Sequence, residues 1–323
     1  MTGIQIQLFR RGLVLLACAL ITLVGCDSPR PIEATSLLGA PLVRPVLEPE
    51  KSARLEADLS EARALAAAEP DSQDAAIWVG RRVGYLARYH DAIAQYTSAI
   101  GHFGETAKLL RHRGHRYITL RQIDRAIVDL TQAKFFADAL PEEIEPDGIP
   151  SQGGPRTTLQ GNIDYHLALA LFLEGEVAGG GVSLDSAASA WKRAVDRCNN
   201  DDTSVAARYW LAVTEFERGD APAARRALDP VVAKMDILEN RTYHQLCLAL
   251  KGEIPAASLT ARDGPLGIGV DRATLGFGLA MHARHVALDE GLAMRRLVEN
   301  SQLPEWASFG VIASEAVLKR GGK

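Results

Sequence analysis

The chain has 323 residues, and its hydrophobic share of 47% and charged share of 24% exclude a wholly disordered protein. Its formal net charge of −4 excludes a general attraction to nucleic acid. Aromatic residues make up only 6%, alanine and leucine are plentiful, and no alternating strand pattern of useful length occurs, so we expect an all-α fold.

Residues 1–25 are typical of a bacterial lipoprotein signal peptide. Two arginines precede an apolar run, residues 13–24, which is short for a membrane-spanning helix. The run ends in LVGC, which resembles the lipobox, in which the cysteine becomes the first mature residue and carries lipid such as palmitate. This resemblance implies that a lipid on Cys26 anchors the protein to a membrane of the cell envelope, facing the periplasm. Asp27 resembles an inner-membrane retention signal.

Residues 26–50 carry five prolines and little periodicity, which predicts a flexible, extended tether. The next run, from residue 51, is rich in alanine, leucine and glutamate and stops at Pro70, so we predict a first helix there. The sequence therefore separates a membrane anchor and tether from a folded body.

A period of 34 residues follows the first predicted helix. Gly80 recurs as Gly114, and Ala92 recurs as Ala126. Small residues at these places let two antiparallel helices approach, and large residues fill the space to the next repeat. This pattern resembles the tetratricopeptide repeat (TPR), which implies a right-handed α-solenoid of helix–turn–helix repeats.

More degenerate copies extend the repeats over residues 51–255, with 256–323 as C-terminal helical repeats or a cap. YHLALALFLEGE (165–176) and YWLAVTEFERGD (209–220) align without a gap. Stretches such as RHRGHRYI, NNDD, MDILEN and WASFGVIASEA resemble a family of bacterial TPR proteins, which implies a helical superhelix but no particular activity. The loop 141–162 is rich in proline and glycine and is long enough to be functional or disordered.

The stretch RHRGHRYI, residues 111–118, places cations on one helix. In the TPR alignment Arg111 and His115 line the concave groove, with Lys108 one turn earlier and Arg81 and Tyr85 in the preceding repeat. Arginine binds carboxylates through charge-assisted hydrogen bonds. We therefore expect a membrane-anchored scaffold or adaptor that binds a partner protein or peptide in this groove. The alternative is a solvated, charged helix face.

Arg113 occupies a position that buried leucine usually holds, so it needs a partner. Asp129, Asp124 and the acidic start of the 141–162 loop are the candidates. Our hypothesis is that the loop folds back onto Arg113, and it predicts that Arg113→Leu makes the loop easier to cleave by proteases.

A polar pocket is the alternative function, either for a small anion or for acid–base chemistry. Its candidate residues lie in the distinctive stretches and are Arg113, His115, Asp147, Asn162, His166, Asp236, Glu239, Asn240 and His244. The competing interpretation is that these side chains cap helices and tie irregular loops together.

No recognised catalytic motif occurs: the chain lacks a GxSxG elbow, a P-loop, HExxH and a dinucleotide fingerprint, so we expect neither an enzyme nor a cofactor. The spacing of His112 and His115, and of His282 and His285, suits a shared metal, but neither pair has a third ligand nearby in the sequence. We expect no metal site.

The predicted mature body contains two cysteines, Cys198 and Cys247. The cell envelope permits a disulfide between them, whereas the apolar run around Cys247 favours simple burial. The spacing alone leaves both interpretations open.

Overall fold

The computed structural model describes residues 30–146, 154, 156–179, 182–259 and 268–322. Within these ranges the protein is all-α apart from one short β-hairpin, which confirms the expected fold class. No helix in the described ranges has both the length and the apolar character needed to cross a membrane. The predicted signal peptide, Cys26 and Asp27 lie outside the described residues.

The hairpin comes first and the helices follow in a row along the chain. The elements are β1 (Ile32–Thr35), β2 (Pro41–Val43), α1 (Pro49–Ala68), α2 (Gln73–Tyr85), α3 (Tyr89–Phe103), α4 (Ala107–Thr119), α5 (Ile123–Ala137), α6 (Leu159–Ala178), α7 (Val182–Arg197), α8 (Asp201–Glu217), α9 (Ala221–Leu228), α10 (Arg241–Lys251), α11 (Ile268–His285), α12 (Glu290–Ser301) and α13 (Phe309–Gly321). Successive helices mostly pack against each other.

The helices α2 to α5 recur with the predicted period, because α4 and α5 begin 34 residues after α2 and α3. The helix caps recur as well. Ser72 accepts a hydrogen bond from the backbone N–H of Ala75, and Thr106 accepts one from Leu109, which satisfies an N–H group that the first turn leaves unpaired. The same local chemistry therefore starts both repeats.

The recurring glycines lie where two helices touch. A Cβ atom at Gly80 would overlap the ring of Tyr96, and one at Gly114 would lie 2.8 Å from the side chain of Leu130. Tyr96 and Leu130 are themselves 34 residues apart and are almost fully buried. The predicted close approach of small residues to large ones is confirmed for these two helical pairs.

The structure corrects the predicted flexible tether for residues 31–48, which form the hairpin and pack on the helical body. Glu33 is buried and accepts hydrogen bonds from the Tyr89 backbone N–H at 3.0 Å and from Arg44 Nε at 2.8 Å. Proline suits this hairpin, since Pro41 begins β2, where a missing N–H costs little. The prolines that suggested a tether therefore shape a strand pair.

The helix α13 turns back into the body, where it packs against α6, α11 and α12. Residues 310–317 are buried on all sides, as expected of a helix without a polar face. Glu315 forms an ion pair with Arg121 at 2.7 Å and accepts the Leu37 N–H at 2.9 Å. The last helix thus fixes the hairpin and the turn before α5, and it does not lengthen the row of helices.

Aromatic side chains fill the core beside α13. Trp210 on α8 stacks on Trp191 and Phe277, with ring centroids 6.0 Å and 5.4 Å apart. Both cysteines of the body are free thiols in the structure. Cys247 is buried, and burial raises the pKa of its thiol, so it is packed as a small apolar residue.

Candidate functional site

Residues 141–146, which we call the strap, run in extended form past α2, α4 and the start of α6. The Glu145 N–H donates to the Thr157 carbonyl oxygen at 2.9 Å, and the Leu159 N–H donates to the Glu143 carbonyl oxygen at 2.8 Å. Ile144 is thereby paired with Thr158 in an antiparallel bridge. The strap is held at its backbone as an added β-strand would be.

Two cations bind the more exposed part of the strap. Lys108 on α4 forms an ion pair with Glu143 at 2.8 Å. Arg81 on α2 donates from Nη1 to the Pro146 carbonyl oxygen at 2.9 Å, and its guanidinium lies over the ring of Trp78. These contacts connect the strap to both helices of the predicted groove.

Glu145 is the buried anchor of the strap, with 7% of its side chain exposed. Arg111 Nε and His112 Nε2 lie 3.2 Å and 3.1 Å from its oxygens, and Asn162 Nδ2 donates to it at 2.6 Å. Burial opposes ionisation of Glu145, but the charge of Arg111 and the contact with His112 outweigh it and hold its pKa well below the usual range. Glu145 therefore stays a carboxylate.

The structure brings the predicted groove residues Arg81, Lys108 and Arg111 together on one face, which the strap covers. The strap already forms an ion pair or a hydrogen bond with each of these three cations. Tyr85 contacts the strap only indirectly, because its hydroxyl lies 3.4 Å from Arg81 Nε. A charge pattern on one helix predicts a shared face but does not predict which acidic segment covers it.

His115 is misplaced by the groove prediction. Its ring lies 4.5 Å from that of His166 and 5.4 Å from that of Phe309, measured between centroids. The side chain therefore packs against α6 and α13 and does not join the cations that contact the strap. The repeat pattern does not anticipate α13, which fills the space that an open solenoid would leave.

Of the candidate partners of Arg113, Asp129 is the one that it meets, so the hypothesis that the loop folds onto Arg113 is wrong. Arg113 forms a two-pronged ion pair with Asp129 on α5, with distances of 2.7 Å and 2.9 Å. The loop does fold back onto α4, but onto Arg111 and His112. Because Arg113 faces α5, we no longer expect Arg113→Leu to expose the loop.

A pocket of about 180 Å³ lies on the other side of Asn162. We call it the α6–α8 pocket, because its walls come from α6, α7, α8 and residues 156–158, with Asn240 and Phe309 at its edges. Tyr165 and His166 face it from α6, and Arg197 and Cys198 lie at the end of α7. The pocket combines aromatic, amide and guanidinium groups.

Of the predicted polar-pocket residues, Asn162, His166 and Asn240 line the α6–α8 pocket. Asp236 lies at its rim, 3.3 Å from Arg156. The prediction is wrong for Arg113, His115 and His244, which do not line it, and Asp147 lies outside the described residues. His244 instead pairs through Nε2 with the Val232 carbonyl oxygen, because its helix turn faces the segment after α9.

Several lining residues were missed, although signals for some of them were present. Phe309 belongs to WASFGVIASEA, and Asn199 belongs to NNDD, both of which are distinctive in the sequence. Arg156 and Arg197 carried no signal, because isolated arginines at a loop and a helix end are common. Only the folded chain brings them to one cavity.

Asp202, which was not among the predicted pocket residues, ties two loops together. Its carboxylate accepts backbone N–H bonds from Leu238, Glu239 and Asn240 at 2.8, 3.0 and 2.9 Å. NNDD and MDILEN are therefore bound to each other, and this contact builds the rim of the pocket. Distinctive polar residues of this kind support the site without facing it.

Three histidines near the two sites are neutral. Burial and the nearby arginines lower the pKa of His112 to about 4 and that of His166 to about 3. Burial, followed by the charge of Arg116, lowers the pKa of His115 well below its ordinary value. Protonation of any of them places a charge in the interior, so acid works against the folded state.

We predict that His112→Gln flattens the pH dependence of stability between pH 4 and 6.5. The unfolded histidine has a pKa near 6.5 and the folded one near 4, so the unfolded state binds more protons in this window and the wild type loses stability as pH falls. The slope of unfolding free energy against pH should decrease by about 1.4 kcal/mol per pH unit. Urea titrations at several pH values measure it.

The exposed His102→Gln is the matched control and should leave the slope unchanged, because its side chain meets solvent in both states. Equal slopes for His112→Gln and the wild type would contradict the buried, neutral state of His112.

Among the described residues no group of three histidine, cysteine, aspartate or glutamate side chains is arranged to hold a metal ion. Comparison with protein-family models and with curated proteins finds no match to the chain. The two sites are therefore interpreted from their own geometry.

Proposed function

We propose that this chain is a lipid-anchored protein of the bacterial cell envelope, built of TPR-like helical repeats, that binds an extended acidic segment of a partner protein on α2 and α4. The anchor rests on LVGC and Cys26, and Asp27 favours the inner membrane, with the body facing the periplasm. The adaptor function rests on one observation: the chain's own strap occupies this face as a peptide ligand would.

The strap defines the chemistry of the partner. Glu143 and Glu145 are two residues apart, so in an extended chain both side chains point to the same side. There they meet Lys108 and Arg111, while Arg81 donates a hydrogen bond to the carbonyl oxygen of the residue that follows. An extended partner segment of the form Glu-X-Glu carries two carboxylates for Lys108 and Arg111. The backbone carbonyl oxygen of its next residue can accept the hydrogen bond from Arg81.

The strap also sets a threshold for binding. A tethered segment acts at an effective concentration of about a millimolar, so a partner competes only if it binds more tightly or is itself presented at a high local concentration. We therefore expect the wild type to bind a short free peptide weakly. Weakening the strap should make the face available.

The test uses the full-length protein in detergent and a fluorescent peptide of sequence PEEIEP, which copies residues 141–146. The variant Glu143→Gln/Glu145→Gln, whose strap keeps only the charge of Glu142, should bind the peptide with a Kd of about 10–500 µM, at least about tenfold more tightly than the wild type does. Fluorescence anisotropy measures the binding, and the peptide should also raise the melting temperature of this variant.

Lys108→Glu added to the double variant should abolish binding, whereas Lys51→Glu, the same charge change at an exposed position of α1, should not. The uncharged peptide PQQIQP should bind to none of the proteins. If the double variant unfolds, Glu143→Gln alone serves, because it leaves the buried Glu145 in place. Equal binding by the wild type and a folded strap variant would overturn the proposal, as would binding that ignores Lys108→Glu.

A further inference from the structure

The α6–α8 pocket presents three hydrogen-bond acceptors. His166 Nδ1 lies 2.6 Å from the Asn162 carbonyl oxygen, which can only accept, so the proton is on Nδ1 and Nε2 is an acceptor. The amide of Asn162 donates to the ionised Glu145, and that of Asn240 donates to the Asp202 carbonyl oxygen. Each Oδ1 atom is therefore the acceptor that remains on its side chain.

These acceptors lack donors in the part of the chain that the structure describes. No described residue donates to His166 Nε2, to Asn162 Oδ1 or to Asn240 Oδ1, although all three side chains line the pocket. His166 is only 6% exposed, so a ligand that reaches it does so inside the pocket and not on the outer surface of the protein. A ligand whose donors meet these acceptors forms direct hydrogen bonds where pocket water would otherwise make them.

The charges around the pocket favour a neutral ligand. Arg156 and Arg197 line it and would repel a cation. Both are already paired, Arg156 with Asp202 at 3.3 Å and Arg197 with Asp164 at 2.6 Å, so an anion would have to compete with buried carboxylates. A charged ligand of either sign therefore gains little binding free energy when it enters the pocket.

The walls favour a ring with one apolar face. Tyr165 and Phe309 form an aromatic wall, with ring centroids 6.5 Å apart. Ala206 and Ala207 also line the pocket, and their small side chains leave room for a ligand. The volume of about 180 Å³ equals that of roughly six waters at about 30 Å³ each. A flat C–H face suits the aromatic wall, and O–H groups at the ring edge suit the acceptors.

We propose that the α6–α8 pocket binds a neutral, hydroxyl-rich ring of monosaccharide size, with its hydroxyl groups donating to His166 Nε2, Asn162 Oδ1 and Asn240 Oδ1. This site adjoins the peptide face through Asn162, whose amide binds Glu145, but it lies on the other side of that residue and does not depend on the proposed function. It adds a small-molecule ligand to a protein whose other site binds protein.

The test compares rings of the same shape and different charge on the full-length protein in a sugar-free detergent. The neutral probes are glucose, galactose and N-acetylglucosamine, the cation is glucosamine, and the anion is glucuronate. At least one neutral probe should bind with a Kd of about 0.1–5 mM by calorimetry or ligand-observed NMR, and its charged counterparts should bind at least about tenfold more weakly.

His166→Phe keeps a ring but removes the acceptor, so it should raise the Kd of the neutral probe at least about tenfold. His244→Phe is the matched control, since His244 does not line the pocket, and it should bind the probe as the wild type does. Neither substitution changes a strap residue, so peptide binding by the same variants tests the proposed function independently of sugar binding. The proposal is overturned if no neutral probe saturates the protein by about 20 mM, if a charged probe binds as well, or if both His→Phe variants bind equally.

Discussion

Replacing Arg121 by methionine should destabilise the protein by about 3–5 kcal/mol, the largest loss that we expect from a single charged residue. Arg121 and Glu315 expose 3% and 1% of their side chains, and the pair is joined by two short hydrogen bonds. Arg121 also donates to the carbonyl oxygens of Thr119 and Trp306, each at 2.7 Å. Methionine removes the donors of both carbonyl groups and leaves the buried carboxylate of Glu315 without its cation, with only the Leu37 N–H as a donor.

Equilibrium unfolding in urea measures this loss, and Arg272→Met is the matched control. Arg272 also pairs with a glutamate, Glu305, at 2.7 Å, but it is half exposed. Solvent screens such a pair, so its loss should cost no more than about 1 kcal/mol. If the two substitutions cost the same, the buried pair does not hold α13 in place.

Gly310→Ala should destabilise the protein by about 3 kcal/mol, because α13 has no room for even one methyl group on this side. A Cβ atom at Gly310 would overlap the carbonyl oxygen of Ala273 and lie 2.9 Å from the Thr274 nitrogen. Both are backbone atoms of α11, so relief requires that one helix move away from the other. Thermal and urea unfolding should both register the change.

Gly101→Ala provides the opposite result with the same substitution. Gly101 lies in α3 with nothing within 4 Å of its Cβ position. Alanine should therefore stabilise the protein by about 0.5–1 kcal/mol through helix propensity alone. A destabilisation of similar size at both glycines would show that the close contact of α13 with α11 is not what decides the result at Gly310.

The first helical pairs were predictable because their signals are local. The period, the hydroxyl caps at Ser72 and Thr106, and the glycines at helix contacts all lie within a few turns of the structure that they determine. The place of α13 was not predictable, because Arg121 and Glu315 are 194 residues apart and no periodic pattern connects them. Proline content also misled us, since it suits a hairpin as well as a tether.

In the candidate sites, too, the features with local signals could be predicted and those that depend on distant contacts could not. The cations Arg81, Lys108 and Arg111 could be assigned to one face from their repeat positions, but their neutralisation by the strap depends on how a non-repeating loop folds. Three of the nine predicted polar-pocket residues line the α6–α8 pocket, and all three lie in unusual stretches of the sequence. His166 and Asn240 face the cavity, whereas Arg113 and His244 are held elsewhere by partners that spacing does not reveal.

The position of Glu315 has a consequence for how this chain acquires its structure. It joins α13 to Arg121 and to the backbone of Leu37, which are 194 and 278 residues earlier in the chain. An open repeat array forms its contacts between neighbours and can fold from one end. Here the native topology also includes contacts of very long sequence separation, so we expect folding to be slower and more cooperative than in such an array. The N-terminal hairpin must wait for synthesis of almost the entire chain before it finds its final partner.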